Sequence, residues 1–88
     1  MPRIEKEITV ENDQGLHARP AALLVQVCSK YNSIVNISKD GEKVNGRSIM
    51  GILALAAQRG SVISVEVEGD DAELVIKELE DLLSGDKT

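Results

Sequence analysis

The chain has 88 residues, of which 42% are hydrophobic and 28% charged, enough for one compact domain with a packed core. With no Trp, no Phe and the single aromatic Tyr31, that core has to be aliphatic, and the aromatic platforms on which single-stranded nucleic acids stack are missing. A net charge of −5 and the absence of any basic run exclude general binding to nucleic acid and electrostatic attachment to an acidic membrane.

From Ile4 to Glu11 the residues Ile4, Ile8 and Val10 share one parity against Glu5, Glu7, Thr9 and Glu11, which predicts a half-buried strand. Lys6 breaks the alternation and is read as belonging to a strand end. Asn12-Asp13-Gln14-Gly15 reads as a loop. Pro20 then sits just inside a helical pattern, where its missing N–H costs little. Ala21, Leu24, Val25, Cys28 and Tyr31 form one face of that helix, which ends near Tyr31-Asn32. Leu23 and Val27 fall off that face. Ile34 to Lys39 is a second strand with Val35 and Ile37 inward. Asp40-Gly41 is a two-residue hairpin signal, and Glu42 to Asn45 pairs back as a third strand.

Ser48 is placed to cap a second helix running to about Gln58, with Gly60 as its terminator. Val62 to Glu68 alternates again, with Ile63, Val65 and Val67 inward. Asp70 with Glu73 three residues later resembles a capping box, and Ala72, Val75, Ile76, Leu79, Leu82 and Leu83 make the apolar face of a third helix. The order is βαββαβα in a single α+β domain spanning residues 1–88. Each strand hides one side only, so one sheet with three helices on one face follows, the fourth strand lying between the first two. One cysteine, Cys28, precludes a disulfide framework and a multi-cysteine zinc site, and it fits a reducing compartment. With no signal-peptide core and no apolar stretch near the roughly 20 residues of a membrane span, a cytoplasmic protein is expected.

The chemistry-bearing stretch is Gly15-Leu16-His17-Ala18-Arg19-Pro20-Ala21. His17 is the only histidine and immediately precedes a helix start, where unpaired N–H groups and the positive dipole end attract phosphate. The backbone amides of Ala18 and Arg19 are the candidate donors, and Arg19 adds a planar, permanently charged guanidinium. Positive surroundings favour neutral imidazole, the form that attacks phosphorus. On spacing alone His17 could equally just cap the helix. No second base, metal cluster or glycine-rich nucleotide loop accompanies it, so no cofactor and no self-sufficient enzyme are expected. Ser48 caps its helix in any case. A phosphate there would bring about −2 charge next to Ile49 and Met50, which are either core or an exposed docking patch.

These two stretches resemble the active-site motif and, at Arg47-Ser48-Ile49-Met50-Gly51, the regulatory-serine motif of HPr, the histidine-containing phosphocarrier family of the bacterial sugar phosphotransferase system. The resemblance runs from about Ile4 to Leu83. It implies an open-faced β-sandwich with a four-stranded antiparallel sheet. It implies that His17 accepts a phosphoryl group on Nδ1 from enzyme I and passes it to enzyme IIA, with Arg19 stabilising the phosphohistidine. It further implies that Ser48 is a target of HPr kinase/phosphorylase, giving a form read by a transcription regulator, and that Arg47, Ile49 and Met50 belong to a partner-docking patch on a monomer. Arg47 replaces the lysine common in the family, and Gln26 and Ser29 stand where some members carry lysines, which implies a weaker positive docking rim. The alternative within the resemblance is a regulatory relative, either of the nitrogen-related branch or acting as a serine-phosphorylated binding module.

Overall fold

The computed structural model of the chain describes residues 2–85. Its elements are β1 (Arg3–Thr9), α1 (Ala18–Lys30), β2 (Ile34–Lys39), β3 (Glu42–Asn45), α2 (Ile49–Ala54), β4 (Val62–Glu68) and α3 (Ala72–Leu83). The strands form one antiparallel sheet in the order β1-β4-β2-β3. Its register sets Ile8 opposite Ile63, and Val35 and Ile37 opposite Val67 and Val65. These side chains share the face covered by the helices, because direct antiparallel partners point the same way. Leu24 of α1, Ile52 of α2 and Leu79 of α3 meet them in a core of buried aliphatic side chains, against which Tyr31 is only partly buried. Among the described residues no helix is long and apolar enough to cross a membrane.

Strand parity locates β2, β3 and β4 at their observed bounds, since inward Val and Ile alternate there with polar neighbours. The β2–β3 turn carries positive φ at both Asp40 (52°) and Gly41 (86°), matching the twist that a two-residue hairpin requires. Three local expectations give way to tertiary demands. Lys6 lies in the middle of edge strand β1, not at its end, and its ammonium pairs with Glu80 on α3. Edge strands tolerate such an inward charge and gain protection against stray pairing from it. The second helix stops at Ala54 rather than near Gln58, because Ala56 turns left-handed (φ 52°) and sends Ala57 into the core.

The third correction concerns the start of α3. Its N-cap is Asp71, with no side-chain capping bond, in place of a box between Asp70 and Glu73. The Asp71 carboxylate instead accepts from the Asn32 amide at 3.2 Å and from the Ser33 hydroxyl, and the latter bond holds its pKa below the usual range. The turn between α1 and β2 is thereby fastened to α3. Glu78 fastens it again, accepting from Lys30 at 2.7 Å and from the Tyr31 hydroxyl, and Lys30 first and Tyr31 second hold its carboxyl low.

Candidate functional site

The loop that precedes α1 is built by contacts distant in sequence. The Glu11 amide donates to Leu83 at 2.9 Å, and the fully buried Asn12 donates through Nδ2 to the Leu82 carbonyl at 3.1 Å. The Gly15 amide closes a turn on Asn12 at 2.9 Å, and the Leu16 amide donates to Ala57 at 2.8 Å while its side chain enters the core. Gly15 is required here twice over. Its φ is +69°, and a Cβ would lie 2.7 Å from the Gln58 Cα and against the Ala57 carbonyl.

With Leu16 and Pro20 both buried, the residues between them are held at the surface. His17 is the N-cap of α1, extended at φ −81° and ψ −168°, with an exposed side chain that makes no capping bond. The imidazole is therefore not spent on the helix. The first intrahelical bond runs from the Ala21 amide to the His17 carbonyl at 3.0 Å. The amides of Ala18 and Arg19 precede it, and Pro20 has none to offer, so two donors and the positive dipole end remain for an incoming anion. Asp13, Gln14, His17 and Arg19 line one open depression of about 200 Å³. Asp13 also meets the Arg59 guanidinium at 3.4 Å. A larger depression, about 400 Å³, lies at the far end of β1. Its charged lining residues are Asp70, Asp71 and Glu73, which repel an anionic group.

Ser48 is the N-cap of α2, and its Oγ accepts from the Gly51 amide at 3.0 Å. Ile49 and Met50, for which core and surface were both open, are exposed at 40% and 75%. Leu53 joins them at 38%, whereas Ile52 on the opposite side is fully buried. Arg47 has an unforeseen engagement. Its Nε donates to the Cys28 carbonyl at 3.1 Å and its Nη2 to the carbonyls of Tyr31 at 2.7 Å and Ser33 at 3.4 Å. The Cys28 carbonyl is one that α1 leaves open at its C-terminus, where a cation is also favoured by the dipole, and those of Tyr31 and Ser33 follow in the turn to β2. Arg47→Ala is expected to lower stability by about 1–2 kcal/mol, the scale of charged hydrogen bonds at a partly exposed site, as read by urea unfolding. A change under a few tenths would deny the clamp.

The Cys28 thiol beneath this clamp is buried, and that burial pushes its pKa up to about 11 against a smaller opposing pull from Arg47. It is an unreactive core group. Val27 packs partly against the core, and Leu23 is half-buried. Four residues near these sites escaped sequence reasoning. Asp13, Gln14 and Arg59 carried no signal beyond loop composition. Leu53 had one, since it lies four residues after Ile49 and three after Met50 on a helix.

A family model described as the PTS HPr component phosphorylation site matches residues 4–85. The phosphocarrier protein HPr of Xylella fastidiosa is 46% identical over 79 residues, covering 90% of this chain and 89% of that protein. The HPr-like protein Crh of Halalkalibacterium halodurans is 45% identical over 76 residues, 86% of this chain and 90% of that one. A crystal structure of a phosphocarrier protein HPr from Bacillus anthracis superposes with a TM-score of 0.89 at 41% identity, covering 94% of this chain and 99% of that one.

Proposed function

The chain belongs to the HPr family of phosphotransferase-system phosphocarriers, and on that premise we propose that His17 is its phosphoryl acceptor, charged by enzyme I and discharged to enzyme IIA. The observation that carries this reading is the exposed, unbonded imidazole at the open start of α1. The neutral Nδ1 lone pair attacks the phosphorus of the phosphohistidine on enzyme I. The donor's N–P bond breaks as the new N–P bond forms, and the released donor nitrogen keeps the electron pair. The amides of Ala18 and Arg19, with the Arg19 guanidinium, take up the charge of the transferred group. An open depression suits a group that must leave again, since nothing has to move aside for the next acceptor. The 88 residues work as one domain, monomeric and cytoplasmic, and have no turnover of their own.

Incubation with phosphoenolpyruvate and enzyme I is expected to place one acid-labile phosphate on the chain, located by mass spectrometry at His17. A label at any other residue would overturn the assignment.

A regulatory role for Ser48 is a second reading, favoured by its position directly before the exposed Ile49, Met50 and Leu53. A phosphate there adds about −2 charge to the edge of an apolar patch on which enzyme I and enzyme IIA would dock, and weakens that docking. The same group gives a transcription regulator something to recognise. HPr kinase/phosphorylase with ATP is expected to leave an acid-stable label that Ser48→Ala lacks, and to slow later phosphorylation by enzyme I. Equal labelling of both proteins would remove Ser48 from the account.

A further inference from the structure

We propose that Arg59 is a positioning residue for phosphoryl transfer, acting through Asp13, the one carboxylate among the described residues that line the His17 depression. The proposal rests on the reading of His17 as the acceptor. Asp13 shares that depression with His17 and Arg19, so its charge opposes the anion that the neighbouring amides attract. The Arg59 guanidinium lies 3.4 Å from the Asp13 carboxylate. Its placement is built into the fold. The Gln58–Ser61 turn is closed by the Ser61 amide on the Gln58 carbonyl at 2.9 Å and by the Gln58 amide on the Ser61 hydroxyl at 3.0 Å. The Gly60 amide then ties that turn to Val10 at 2.7 Å, just ahead of the site loop.

The pair is too exposed to matter for stability, with side chains 64% and 90% accessible. Its consequence is electrostatic. With Arg59 in place the charge of Asp13 is partly offset, and Arg19 leaves the depression attractive to an anionic phosphoryl donor. Without Arg59 a bare carboxylate faces the incoming group. At the separations that such a depression spans, one uncompensated charge near water is worth about a three- to tenfold change in rate.

The test uses the full chain and phosphoramidate, a small anionic donor that removes partner docking from the measurement. Imidazole nitrogen attacks its phosphorus, the donor P–N bond breaks, and ammonia leaves with the ring proton. Arg59→Gln is expected to slow labelling of His17 about three- to tenfold at low ionic strength. Arg59→Lys should restore most of the rate, and added salt should shrink the difference. In the Asp13→Asn background, Arg59→Gln is expected to have no effect, a result that a merely structural role would not produce. The proposal is overturned if Arg59→Gln labels like wild type, or if it slows both backgrounds equally; in either case the wild-type label leaves His17 standing as acceptor. A wild-type chain that takes no label at His17 overturns the acceptor reading itself.

Discussion

His17→Ala is expected to abolish the acid-labile phosphate while leaving the protein folded and as stable as before. The two halves of this expectation come from one geometric fact. The imidazole is exposed and makes no capping bond, so its removal deletes the proposed nucleophile and little else. No other histidine exists to take over. Labelling with enzyme I should fall by at least about a thousandfold, since a lost nucleophile has no partial substitute. Stability should change by no more than about 0.5 kcal/mol, as for surface positions without a structural partner. Urea unfolding and phosphate incorporation on the same preparation measure both. A loss of several kcal/mol would mean that the imidazole holds the helix start after all.

Gly15→Ala is expected to behave in the opposite way, lowering stability by about 2–4 kcal/mol and impairing labelling only as a consequence. A positive φ of +69° alone costs alanine about 1–2 kcal/mol. The added Cβ also meets backbone at Ala57 and Gln58, and backbone cannot rotate away as a flexible side chain would. Relief requires the loop to separate from the segment after α2, which breaks the bond from the Leu16 amide to Ala57. Urea unfolding gives the magnitude, and amide exchange at Leu16 should accelerate first. A destabilisation below about 0.5 kcal/mol would show that the two segments are not in firm contact.

The periodic parts of the fold were legible in the sequence. Val35 and Ile37, or Ile63, Val65 and Val67, alternate because one sheet face is dry and the other wet. Asp40-Gly41 states its turn through a backbone conformation that few residue pairs accept. Legibility failed wherever a residue answers to something remote. Ala54 to Gln58 has nothing in it that forbids a helix. The helix ends because Ala57 is wanted in the core and its carbonyl is wanted by Leu16. Asp71 looks like a helix-start charge, yet its carboxylate serves the turn after α1. Arg47 reads as a surface cation, and its guanidinium spans three carbonyls of another helix end and turn. At the candidate site, a lone histidine before a buried proline pointed to the helix start. The company of Asp13 with Arg59 depends on a turn whose partner, Val10, lies far back along the chain.

The carbonyls of Leu82 and Leu83 that receive Asn12 and Glu11 belong to the last turn of α3. On a ribosome, His17 therefore emerges long before the atoms that fix its loop have been made. A nascent or clipped chain ending ahead of α3 carries the histidine without its frame.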